Sequence, residues 1–218
     1  MTTEERYRAI LRNHLPTATT DNPDAVVDWV YGYLERYRVH FHVTRQRRSK
    51  LGDYRWPQTR HPYHEISVNG DLNPYLFLMV LLHEAAHLET HVKHGERVAP
   101  HGHEWQAEYA ALLNAHLAWF PTEAREALAA YASRIPMPRA AGQRAEQLLH
   151  RYDKGFDPTA PRPVRLDDVA PDTLFRLVSN PRILFRAVER RRTRWLCIDT
   201  ATRRSYTVSG RAEVKVET

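Results

Sequence analysis

The chain has 218 residues, 42% of them hydrophobic and 27% charged, ordinary globular values that suit one domain, or one plus a small appendage, and do not make disorder the default. Its one cysteine, Cys197, excludes an intrachain disulfide framework and an all-cysteine zinc site, and fits a reducing compartment. The formal charge of +6 is uneven: residues 1–160 hold 19 Lys+Arg and 19 Asp+Glu, whereas 161–218 hold 13 and 7, a basic end suited to an anionic partner.

Taken in chain order, Thr2 and Glu5 predict a capping box opening a first helix that stops before Pro16. "DNPDAVVDWVYGYLERY" predicts a second helix with Asn22 as N-cap and a buried stripe of Val26, Val27, Val30, Tyr33, Leu34 and Tyr37. "RVHFHVTR" alternates like a strand, the stretch around Gly52 reads as turns, and "YHEISVNG" is a second strand. Asn73 and Pro74 then open a helix over about 74–93 whose first half is apolar on every side, so it should be buried. Further helices are expected at about 103–118, from Pro121 through "TEAREALAAYASR", and near 142–151.

"DPTAPRPVRLDD", with Pro158, Pro161 and Pro163, reads as a linker. "RILFRAV", "RTRWLCID", "RSYTVSG" and "AEVKVE" follow as short alternating runs, a small antiparallel β module. The expected fold class is therefore α+β, divided into a domain at 1–155, a Pro-rich linker at 156–170 and a basic β module at 171–218. The opening "MTTEERYRAI" lacks the features of a secretory signal, and the longest apolar run, "YLFLMVLL", is shorter than the about 20 residues that span a bilayer. The expectation is a soluble, cytoplasmic protein with no membrane partner.

Residues 81–106, "LLHEAAHLETHVKHGERVAPHGHEWQ", carry six histidines. His83, Glu84 and His87 form H-E-x-x-H within the predicted buried helix. Four residues apart, the two rings share one face about 6 Å apart along the axis and can reach one ion. Glu84 lies a quarter-turn away, beside the ion, where it can hold a water. His91 lies about 12 Å along the axis from His83 and cannot share that ion. A third ligand is needed, since catalytic zinc sites usually have three. Spacing leaves His101, His103, Glu104 and Glu108 open.

"LLHEAAH" followed by "PHGHEW" resembles the signature of the SprT-like zinc metallopeptidases (Spartan-related), as does the lead-in "SKLGDYR" and "HEISVNGDLNPYLFLMVLLHE". The resemblance implies a zincin-like metallopeptidase domain with a central HExxH helix and a small sheet. It also implies His83, His87 and His101 as ligands to one Zn2+, with Glu84 as the catalytic general base on a zinc-bound water and Trp105 in the aromatic position of the second motif. Many members end in a four-cysteine zinc ribbon; with Cys197 alone this chain cannot build one, so the β module is expected to hold together through Leu184, Trp195, Leu196, Tyr206 and Val208. Cys197 reads as a small core residue.

The activity implied is zinc-dependent endopeptidase cleavage of DNA-bound or DNA-crosslinked proteins, in DNA–protein crosslink repair. Two arginine groups offer a DNA surface: Arg45, Arg47, Arg48 and Lys50, and Arg190, Arg191, Arg192 and Arg194, with Trp195 and Tyr206 available for base stacking. Tyr54, Tyr63 and His64 are candidate stabilisers of the oxyanion. The alternatives are a zinc-bearing DNA- or protein-interaction module without turnover, and a zinc hydrolase acting on a non-peptide substrate.

Overall fold

The computed structural model describes residues 2–17, 22–47, 50–59, 61–157, 164–191, 194–210 and 212–217. The proline-rich stretch 158–163, Arg48 and Arg192 lie outside them. The chain divides into two compact units, Met1–Pro158 and Thr159–Thr218.

The first unit opens with α1 (Thr3–His14), and its capping box forms: the Thr2 hydroxyl accepts from Glu5 N and the Glu5 carboxylate accepts from Thr2 N. Helix α2 (Ala25–Arg36) begins two residues later than the Asn22 cap implies, with Asp24 at the N-cap. The Asp24 carboxylate does not cap the helix. It accepts from Arg12 of α1 at 2.9 and 2.8 Å, so it ties the two helices together. Val26, Val27, Val30 and Leu34 are buried as the periodicity requires.

Strands β1 (Val39–Thr44) and β3 (His64–Asn69) pair in parallel, and β2 (Gly52–Arg55) pairs antiparallel with β3 at the edge of the three-stranded sheet. The stretch around Gly52, expected as turns only, therefore contains a strand. Four residues reading Gly-Asp-Tyr-Arg carry no apolar alternation, because an edge strand needs its neighbour's backbone more than a buried face. Ile66 and Val68 of β3 are fully buried against the core.

Helix α3 (Pro74–His94) is the centre of the unit and packs on β2, β3, α4 and α6. The Asn73 side chain accepts from Tyr75 N and Leu76 N, the N-cap the sequence announced. Leu76, Phe77, Leu78, Leu81, Leu82, Ala85, Ala86 and Leu88 are all buried, so this helix presents no solvent face until its last turns. Helices α4 (His103–Ala115), α5 (Thr122–Tyr131) and α6 (Arg139–Leu149) complete the unit.

The second unit is a five-stranded antiparallel sheet in the order β7-β6-β5-β4-β8, built from β4 (Leu174–Leu177), β5 (Asn180–Arg190), β6 (Arg194–Asp199), β7 (Ser205–Ser209) and β8 (Val214–Val216). Its core is Leu166, Phe175, Phe185, Ala187, Trp195, Cys197 and Val214, with Val208 packed against it. Leu184 and Leu196, expected in that core, are not part of it. Successive residues of a strand point to opposite faces, so burying Phe185, Trp195 and Cys197 turns Leu184 and Leu196 the other way. Two carboxylates do the rest. Asp167 accepts from Trp195 Nε1 at 2.9 Å and from Arg190 Nε at 3.1 Å. Asp199 accepts from Ala201 N, Thr202 N and the Thr202 hydroxyl, closing the β6–β7 turn. Among the described residues, no helix is long and apolar enough to cross a membrane.

Candidate metal centre

His83 and His87 project from one face of α3, as their spacing requires, and His101 reaches them from the loop before α4. His101 Nε2 lies 3.0 Å from His83 Nε2 and 3.1 Å from His87 Nε2. One ring nitrogen carries at most one proton, so His101 Nε2 cannot satisfy both neighbours by donating. Three ring nitrogens converging on one point leave lone pairs facing each other unless a cation lies between them. Tetrahedral bonds of roughly 2.0–2.1 Å to one ion would separate the nitrogens by roughly 3.3 Å. The observed spacing is close to this, and among the described residues these three histidines form the group able to hold a metal ion.

The surroundings keep the rings in the ligating form. Burial pushes His83 down to about 3 and His87 down to about 4, with neighbouring imidazoles adding to both, and burial also lowers His101. Neutral imidazole is the form that binds metal. Trp105 of α4, 4% exposed, forms the floor, with ring centroids 4.6, 5.3 and 4.6 Å from His83, His87 and His101. Its Nε1–H is buried and has no acceptor among the described residues.

Glu84 is 6% exposed, beside strand β2. A Cβ on Gly52 would fall 2.8 Å from Glu84 Cδ and 2.7 Å from Val80 Cγ1, so any other residue there must displace one of these side chains. Its sequence signal is a lone glycine in a stretch that reads as turns, which local rules do not connect to the site. Burial pushes the Glu84 carboxyl up to about 8; Asp53 adds to the rise, while Arg47 and Lys50 oppose it. Such a carboxylate is a stronger base than an exposed one.

The other sequence candidates separate cleanly. His103 is exposed, and Glu108 forms a 2.6 Å ion pair with Lys93. His91 stacks on Trp56, with centroids 6.0 Å apart. Tyr54 lies parallel to the His87 ring at 6.3 Å and shares a 2.9 Å hydrogen bond with His64 Nδ1. Tyr63 stacks instead on His40 at 4.1 Å.

Of the arginine groups, Arg47 is held within the fold: its guanidinium donates to Asn69 Oδ1 at 2.8 Å and Ser67 Oγ at 3.0 Å. Lys50 pairs with Asp53 at 2.8 Å, and Arg190 with Asp167. Arg45, Arg191 and Arg194 are exposed. Trp195, expected to be available for base stacking, is only 3% exposed and has no face to offer. Tyr206 is 39% exposed.

A buried helix carrying two histidines and a glutamate, with a third histidine converging from the following loop, makes a group that could hold a metal ion. Residues 24–126 match the model of the SprT-like family. No curated protein and no solved structure matches the chain.

Proposed function

We propose that the protein is a zinc-dependent endopeptidase with Glu84 as its general base. The observation that carries this reading is the approach of three neutral imidazoles to one point beside a buried carboxylate. His83, His87 and His101 would hold the ion. When bound, zinc would supply Lewis acidity, polarising a carbonyl and drawing the pKa of a water down toward about 7. Glu84 then takes the proton of the attacking water and delivers it to the departing amine. The Glu84 carboxyl accepts no hydrogen bond from a described residue, which leaves its oxygens open to that proton. Trp105 and Tyr109 close the inner side of the site and exclude water there: Tyr109 is 2% exposed and lies 5.4 Å from His83, ring centroid to ring centroid.

The substrates we propose are proteins bound or crosslinked to DNA. Support comes from the family and from the exposed guanidinium groups of Arg45, Arg191 and Arg194, which suit phosphate contacts without base readout. The test is cleavage of a DNA-binding protein and of casein by zinc-loaded protein, with and without DNA and with a chelator. Chelator-sensitive cleavage that DNA stimulates is expected. No cleavage of either substrate by zinc-loaded protein would overturn the peptidase reading.

A further inference from the structure

His83 and His87 are fixed by a buried helix, but His101 is exposed and sits on a loop, so something else must set its position. Its backbone lies in the left-handed region, φ +59°. A residue with a Cβ adopts this conformation at a cost, and it persists only where the surroundings impose it. Gly102 N donates to Ala99 O at 2.8 Å and closes a turn around it. Among the described residues, one side chain hydrogen-bonds to the backbone of the 95–102 loop: Gln106 Nε2 donates to His101 O at 3.0 Å. The other end of the same amide, Gln106 Oε1, accepts from Met137 N at 2.7 Å.

From this geometry we infer that Gln106 is a positioning residue for the third ligand, a strut that ties His101 to the segment between α5 and α6. The chemistry is specific to a primary amide. One end must donate to a carbonyl and the other must accept from an N–H. Glutamate would keep the Met137 bond but turn an oxygen toward His101 O, and leucine would lose both. The helix holds Gln106 where both bonds can form, since its own N–H bonds to Gly102 O at 3.0 Å in the first turn of α4, directly after the loop it secures. The inference rests on the triad being a metal site, but not on peptide cleavage.

The test is zinc affinity of the full chain, by competition with a chelating dye, and the visible spectrum of the cobalt(II) form. In Gln106→Leu and Gln106→Glu the zinc Kd should rise roughly 10–100-fold, the range for residues that orient a ligand from behind. The cobalt spectrum should shift toward that of His101→Ala, while the metal-free protein unfolds at the wild-type midpoint. In a His101→Ala background, Gln106→Leu should cost nothing further, since the two changes act on one contact. Wild-type affinity in both variants, or an equal loss in the His101→Ala background, would overturn the proposal. A wild type that binds zinc but cleaves nothing, with affinity still lost in Gln106→Leu, supports the strut and sinks the peptidase reading. Cleavage by wild type with affinity indifferent to residue 106 does the reverse.

Discussion

The sheet of the β unit and the histidine site of the first unit treat their buried polar groups in opposite ways. In the β unit, Asp167 takes the indole N–H of Trp195 together with Arg190, and Asp199 uses both oxygens on its own turn. In the first unit, three imidazoles face each other, the Glu84 carboxyl sits 6% exposed against Gly52, and the Trp105 N–H has no acceptor among the described residues. Buried polar groups are normally satisfied, and a concentration of exceptions marks the place where a ligand completes the structure. In the β unit an apolar core, which includes Cys197, and two well-bonded carboxylates hold the sheet.

The strongest test of this contrast is Glu84→Gln. Peptidase kcat should fall about 10²–10⁴-fold, the range for a lost general base, while zinc content stays at the wild-type level. Gly52→Ala should follow, with kcat reduced on the order of 10²-fold and zinc retained, because the added methyl displaces the Glu84 carboxyl rather than the ligands. Wild-type kcat in that variant would mean the contact between β2 and Glu84 is irrelevant to turnover.

Asp167→Ala probes the other unit. The Trp195 N–H loses its acceptor in a site only 3% exposed, which should destabilise the β sheet by about 1–3 kcal/mol. Hydrogen exchange in β5 and β6 should accelerate and zinc affinity should not change.

A pH effect is expected from His116, which is 8% exposed and stacked on Trp119 at 4.0 Å. Burial pushes it down to about 4, below its ordinary 6.5, so the folded state resists a proton that the unfolded chain accepts. Stability is therefore lost as pH falls from about 6.5 toward 4, by about 2 kcal/mol from this residue. Denaturant unfolding of chelator-treated wild type and His116→Phe at pH 7.5 and 4.5 isolates that loss, which the phenylalanine variant should not show. The smallest effect concerns DNA. Arg45→Ala should reduce the salt dependence of oligonucleotide binding by about one phosphate contact, measured by fluorescence anisotropy. Arg47→Ala should instead loosen the β2–β3 region, where its guanidinium is bonded.

Much of the first unit follows from local rules. The Asn73–Pro74 start, the all-round apolar surface of α3 and the shared face of His83 and His87 depend on residues within a few positions of each other. Periodicity fails where elements are short and take their identity from a partner. Strands β2 and β4 have four residues each, and neither is expected from its own pattern. In the β module periodicity finds the strands but mixes their faces, assigning both Trp195 and its neighbour Leu196 to one core.

The sequence by itself determined the central helix, two histidines on one of its faces and the glutamate between them, because a helix converts spacing into direction. Spacing left four candidates open and resemblance named His101; only the tertiary structure brings its ring to His83 and His87, lays Gly52 against Glu84 and holds Arg47 inside the fold. These depend on where a loop and an edge strand come to rest against α3. That is set by packing between residues far apart in the chain, on which local periodicity carries no information.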